Sequence, residues 1–367
     1  MTGTIESRLA DLVDRFRRAR RLPAVGAALV HATGTPVVAV SGHRVRGGTT
    51  PVTAADSWHI GSCMKSMTAT AVARFVQRGE LDWSTPVGDL LPGLGTVHEG
   101  WGRVSLADVL THTAGMPANP TPTELRAALH DPTPAPEQRI RLARQTLSRP
   151  PARPGRFAYS NLGYTLVGAA LERLTGEPFE SVLSTEVLRP LGITGGGFGP
   201  PGPDQPWGHR ARVVWRGLGI GRGPAIDPAS TSTKHPPDNP ALITPAGRLH
   251  LPLADWAAFV RIFLAGADTP LTPGSLARVT TPPDGVATRQ GMGWAVPPRN
   301  SSRPRMAYGQ QGSNARWVAT AVVVPDRTSA ALVVCNDGRT RMLLSTLRLA
   351  LRVLAAERDE RAERRAA

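Results

Sequence analysis

Gly61-Ser62-Cys63-Met64-Lys65 opens a helix-compatible run that carries Met67, Ala71, Phe75 and Val76 and stops at Gly79. A serine in the first turn of a helix lies where unpaired backbone N–H groups point outward. Lys65, three residues on, falls on the same face one turn away. That is the spacing a nucleophile and its proton acceptor need. Arginine cannot accept that proton, because it does not deprotonate in proteins, whereas a partly buried lysine can. Among 43 Lys+Arg there are two lysines, Lys65 and Lys234. Every other basic position is arginine, so a lysine kept against that bias points to a need for lysine itself. S-x-x-K also recurs by chance, and its weight depends on its company.

Outward from this stretch, two regions read as sheet. Val25 to His31 and Pro36 to Ser41 flank the turn-forming Ala32-Thr33-Gly34-Thr35. Trp317 to Val324 and Ser329 to Cys335 flank Pro325-Asp326-Arg327. Each pair predicts an antiparallel hairpin. Ile5, Leu9, Leu12, Val13 and Phe16 recur at helical spacing, as do Leu343, Leu347, Leu351 and Leu354 in the segment Met342 to Ala356. Between these ends, residues 62–79, 105–112, 124–130, 137–147, 161–175 and 252–265 carry helical patterns. They are separated by Pro/Gly-rich loops at 117–136, 195–206 and 217–247. The expected class is α+β. An antiparallel sheet flanked by helices is built from 1–61 and 270–367, a mainly helical region (62–269) is inserted, and the active site lies between them.

Tyr159-Ser160-Asn161 precedes the next helix. A phenol beside a lysine ammonium can titrate low enough to act as a base, and an asparagine two residues on can serve both lysine and substrate. Tyr308-Gly309-Gln310-Gln311-Gly312-Ser313-Asn314 leads into the Trp317 strand. Its glycines permit close backbone approach, and an edge strand here can offer an N–H to a developing oxyanion.

Together these stretches resemble the serine β-lactamase and penicillin-binding-protein superfamily, in particular its class C β-lactamase-like branch. Ser62 to Lys65 matches S-x-x-K and Tyr159 to Asn161 matches Y-x-N. Arg78-Gly79-Glu80-Leu81-Asp82, Leu110 to Pro117 and Pro245-Ala246-Gly247-Arg248-Leu249 look like that branch too. Order and spacing agree from about residue 20 to residue 340. One departure stands out: Gln310 occupies the place where the branch usually has His or Lys. An amide still donates a hydrogen bond but carries no charge, which argues against a substrate carboxylate there.

The resemblance implies a β-lactamase/transpeptidase-like fold and a set of roles. Ser62 attacks an ester, thioester or amide, and Lys65 and Tyr159 move its proton. Asn161, Gln310, Gly312, Ser313 and Asn314 bind substrate, and the backbone N–H groups of Ser62 and Ser313 form the oxyanion hole. The reaction passes through an acyl-enzyme with no cofactor and no metal. The expected function is acyl transfer in secondary-metabolite biosynthesis, from a small-molecule acyl donor to a nucleophilic acceptor. The alternatives are an esterase or amidase and, in a different class, a non-catalytic ligand-binding protein. Cys63 points about 100° from Ser62 on a helix, and His112 lies in a segment that looks structural in this branch; neither is assigned the chemistry.

Composition narrows the partners. Hydrophobic content of 41% and charged content of 19% describe a globular protein. The first residues lack an apolar signal core and no apolar run reaches membrane-spanning length, so a cytoplasmic location is expected. The nine histidines and two cysteines form no metal-ligand spacing and no disulfide framework. The net charge of +15 comes from scattered arginines without an aromatic-interleaved stripe. Neither nucleic acid nor membrane is therefore expected as a partner, while an acidic carrier protein is compatible with the charge.

Overall fold

The computed structural model describes residues 4–216, 218–296, 308–325 and 328–366. Asp326 and Arg327 of the expected second hairpin turn lie outside the described residues. Five antiparallel strands form the main sheet: β1 (Ala24–His31), β2 (Val37–Gly42), β3 (Tyr308–Ser313), β4 (Val318–Val324) and β5 (Ser329–Cys335). Their order is β2-β1-β5-β4-β3, so the two ends of the chain meet where β1 pairs with β5, Val25 opposite Cys335 and His31 opposite Ser329. β1, β4 and β5 are apolar almost throughout because both of their faces are covered. Val25, Ala27, Leu29, Val318, Val322, Ala331 and Val333 pack under α1 (Ile5–Arg20) and the C-terminal helix (Arg341–Ala366). Ala24, Ala28, Val30, Ala319, Ala321, Leu332 and Val334 face the larger core.

That larger core surrounds α2 (Met64–Gln77). Small side chains such as Ser66, Thr68, Ala69, Ala71 and Ala73 bury nearly all of its circumference. A helix covered all round suits the centre of a domain. α3 (Asn161–Thr175) and α4 (Leu253–Arg261) lie in the same core. A three-stranded sheet places Leu249–Pro252 between Ser57–His59 and Gly197–Phe198. The helix-and-sheet architecture agrees with the expected α+β class.

Three readings need correction. The expected loop 217–247 begins instead with a strand, Leu218–Ala225, which pairs with His209–Trp215 as an antiparallel hairpin. The helix expected at 124–130 begins two residues earlier, as Pro122–Ala128, with a capping box between Thr121 and Glu124. The last helix runs to Ala366, ten residues past Ala356.

Candidate active site

Gly61–Cys63 forms a 3-10 turn that feeds directly into α2. Lys65 is the buried exception in this apolar setting, with 2% of its surface exposed. Its Nζ lies 3.0 Å from Ser62 Oγ, 2.7 Å from Asn161 Oδ1 and 2.5 Å from the Ala246 carbonyl oxygen. It also sits 5.0 Å from the centre of the Tyr159 ring and 5.5 Å from that of Tyr164. Ring faces favour the cation, yet desolvation wins: burial pulls the Lys65 ammonium down to about 7, with the neighbouring Cys63 acting in the opposite direction. Cys63 itself is fully buried, and burial pushes its thiol up. A buried thiol of that kind is inert.

Tyr159 corrects the expectation of a lowered phenol. The residue surface is 40% exposed, but protein crowds the hydroxyl end, and that burial pushes the group up to about 12. Its hydrogen bond with Ser62 pulls the other way and is the smaller effect. The ring is held by His112, whose ring centre lies 4.4 Å from it. His112 Nδ1 accepts the Ser160 N–H at 3.1 Å. Burial, then the nearby Lys65 charge, lower the imidazole to about 3. It is a neutral wedge behind Tyr159, with its main chain at φ 62°.

Asn161 is the first residue of α3, and Ser160 caps the helix by accepting the Gly163 N–H at 2.9 Å. Freed from capping, the Asn161 amide has two partners. Its Oδ1 accepts from Lys65, and its Nδ2 donates to Asn119 Oδ1 at 2.7 Å.

The third motif reaches Ser62 through glycine. Gly61 has φ 53°, and a Cβ there would lie 2.6 Å from the Ser313 nitrogen; one on Gly312 would lie 2.7 Å from the Ser62 nitrogen. The two nitrogens expected to form the oxyanion hole are thus brought together by two residues without side chains. β3 is an edge strand, and on its free side Gly309 exchanges both hydrogen bonds with Ala295. Antiparallel alternation turns the Ser313 N–H, four residues on, to that same side.

Gln310 is 5% exposed, and neither its Oε1 nor its Nε2 has a protein partner. It shares a strand face with Gly312, the residue that abuts Ser62. Gln311 faces the other way and donates to the Leu343 carbonyl. Asn314, expected to bind substrate, has its side-chain amide engaged within the protein. It is buried, with Nδ2 on Asp238 Oδ1 at 2.9 Å and Oδ1 accepting the Arg316 and Trp317 N–H groups. Asn119, the Ala246 carbonyl, His59 and Asp238 were missed as members of the site. Among the described residues, no group of three His, Cys, Asp or Glu side chains is placed to hold a metal ion.

Comparison with known proteins bears on this geometry. The chain is 28% identical to Penicillin-binding protein 4 of Amycolatopsis lactamdurans over 89% of its own length and 84% of that protein's. It is 30% identical to the esterase/beta-lactamase LipL of Mycobacterium tuberculosis over 49% of its length. It spans only 40% of LipL, and 51% of the Escherichia coli D-alanyl-D-alanine-carboxypeptidase/endopeptidase AmpH. Among solved structures, D-amino acid amidase from Ochrobactrum anthropi SV3 superposes with a TM-score of 0.75 at 20% identity, covering 98% of this chain and 100% of that one. SurE gives 0.73 at 23% identity, covering 96% and 76%. At these identities the structures establish a shared fold. The family model described as Beta-lactamase matches residues 9–355, and the chain therefore belongs to the beta-lactamase family, whose relatives form a group of serine hydrolases and acyl-transfer enzymes.

Proposed function

We propose that the protein forms an acyl-enzyme on Ser62 from neutral esters or amides, with Lys65 as the proton acceptor and water as the usual second nucleophile. The observation that carries this reading is the set of contacts around Lys65 Nζ. A neutral amine has two N–H donors and one lone pair. Asn161 Oδ1 and the Ala246 carbonyl are acceptors only, and they take both donors. The lone pair then faces Ser62 Oγ, 3.0 Å away. A group brought down to about 7 is neutral in a large fraction at neutral pH, which matches a general base to its task.

In this reading Ser62 Oγ bonds to the acyl carbon as its proton passes to Lys65. The carbonyl oxygen becomes an oxyanion between the Ser62 and Ser313 N–H groups. The bond to the leaving group breaks, and the proton moves to it from Lys65, with the protonated Tyr159 phenol beside Ser62 as relay. Water then attacks the acyl carbon as Lys65 takes its proton, the bond to Ser62 Oγ breaks, Oγ receives that proton from Lys65, and the acid leaves. Gln310 supplies no cation, which favours neutral substrates over those bearing a carboxylate. Ser62 is partly exposed and Tyr159 more so, which keeps the acyl group within reach of water. The esterase in LipL's name is of the same reaction class.

A second reading rests on the same openness, which admits an acceptor as readily as water. Transfer to an amine, alcohol or thiol in secondary-metabolite biosynthesis, from a small-molecule donor or one borne on an acidic carrier, also agrees with the charge of +15. Partitioning separates the two. The enzyme is acylated with an activated neutral ester, amines or alcohols are added at millimolar levels, and acid and transfer product are measured by mass spectrometry. Hydrolysis that no acceptor diverts supports the first reading. Dominant transfer to one acceptor class supports the second. No turnover of any ester or amide overturns both.

A further inference from the structure

Next to the nucleophile turn lies a buried polar chain with no part in the proton transfer. His59 ends the short strand Ser57–His59, two residues before Gly61. Its Nδ1 accepts the Gly61 N–H at 3.1 Å, and its Nε2 reaches Asp238 Oδ2 at 2.9 Å. An imidazole that accepts at Nδ1 must donate at Nε2. The other carboxylate oxygen of Asp238 accepts the Asn314 amide at 2.9 Å and the Asn239 N–H at 2.8 Å. Asn314 follows Ser313 directly, and its own Oδ1 fixes the turn by accepting the Arg316 and Trp317 N–H groups. His59 stacks on Trp317 with ring centres 5.6 Å apart. His59, Asp238 and Asn314 are each less than 7% exposed.

Burial would raise the Asp238 carboxyl, but His59, then Arg248 and Asn314, hold it down to about 2. It is therefore a permanent acceptor with a donor on each side. One side belongs to the turn that carries the Ser62 N–H and the other to the turn that follows the Ser313 N–H. These segments are far apart in sequence, and nothing covalent holds them in register. An oxyanion hole works only when both donors converge on one point, and small displacements are costly.

We propose that His59, Asp238 and Asn314 are positioning residues that clamp the two halves of the oxyanion hole at their working separation. Asp238 acts through Gly61 and Asn314 and does not touch the substrate. The inference rests on the acyl-enzyme reading above and adds to it the groups that align the two backbone donors.

The test compares substitutions that keep or remove the hydrogen bonds. In Asp238→Asn, two donors face a group with a single acceptor oxygen, so one side of the clamp opens. In His59→Gln, the amide can accept from Gly61 and donate to Asp238, whereas His59→Leu does neither. The readouts are kcat and KM for an activated neutral ester, the rate of Ser62 phosphonylation by a fluorophosphonate, and the melting temperature. We expect Asp238→Asn and His59→Leu to lower kcat and the phosphonylation rate together by on the order of 10²-fold, the usual loss for one oxyanion donor. KM should change little, and His59→Gln should stay within about tenfold of wild type. Normal phosphonylation in folded Asp238→Asn overturns the clamp, as does equal loss in the Gln and Leu variants or a loss confined to KM. If Asp238→Asn does not fold, the comparison of Gln with Leu decides alone, and full rescue by Leu overturns the clamp. Wild-type protein that is not labelled on Ser62 at all would instead refute the acyl-enzyme reading itself.

Discussion

A side-chain carbon on Gly312 would stand 2.0 Å from the carbonyl oxygen of Ile60. No heavy atom can occupy that position, and the obstacle is backbone on both sides. The absence of a side chain at 312 is what lets β3 lie against the turn that carries Ser62. Gly312→Ala should therefore push the strand and the turn apart and lower the acylation rate by at least about 10²-fold. Stopped-flow acylation with a chromogenic ester measures this. A variant that acylates at the wild-type rate would show that the close approach is dispensable.

Lys65 should set the pH dependence of acylation. Only its neutral form has a lone pair for the Ser62 proton, so the rate should rise with pH around a midpoint near 7, the position to which burial brings the group. Lys65→Arg keeps the charge but not the ability to lose a proton, and should be nearly as damaging as Lys65→Ala, by about 10²-fold or more. Pre-steady-state rates between pH 5 and 9 test both expectations. A rate that falls across this range, or an active arginine variant, would remove Lys65 from the role of base.

The same group costs stability. Its folded-state pKa lies below that of the unfolded chain, near 7 against an ordinary value of 10.5. Between those values the unfolded state binds a proton that the native state does not, so stability rises with pH there and is lost as pH falls towards 7. Below about 7 both states are protonated and this contribution is flat. The melting temperature of wild type should therefore climb relative to Lys65→Met as pH goes from 7 to 10. A pH-independent difference between the two proteins would contradict a depressed Lys65.

Gln310 should tune substrate charge. A buried amide can donate to a carboxylate but brings no positive charge to offset the desolvation of that anion. Penicillins and cephalosporins should be poor substrates beside neutral esters. Gln310→His should improve turnover of carboxylate-bearing substrates while leaving neutral esters nearly unchanged. Ratios of kcat/KM for matched neutral and anionic esters measure this. Efficient cephalosporin hydrolysis by the wild-type protein would refute it.

Much of this arrangement was legible in the sequence wherever the relevant contacts are local. Ser62 and Lys65 are one helical turn apart, and Tyr159 and Asn161 straddle one capping serine, so pattern alone places each pair together. Other features depend on long-range contacts. Lys65 meets the Ala246 carbonyl 181 residues away, and His59 meets Asp238 at a separation of 179. Backbone acceptors and buried carboxylates carry no motif. Burial reversed the expected direction for Tyr159, because desolvation is a property of the packed site rather than of the tripeptide. The hairpin at 209–225 was missed because Gly219, Gly221 and Gly223 look like loop residues and several of its apolar side chains, such as Val213 and Ile220, are exposed. The last helix was cut short where its apolar spacing ends; ion pairs one turn apart, Glu357 with Arg361 and Glu360 with Arg364, carry it further.

Everything above depends on Ser62 becoming covalently acylated. Incubation with a fluorophosphonate, digestion and mass spectrometry test it most directly. One phosphonyl mass per chain should be added, on the peptide that contains Ser62, and none in Ser62→Ala. Labelling that persists in Ser62→Ala, or that falls on another residue of the wild-type protein, would contradict it.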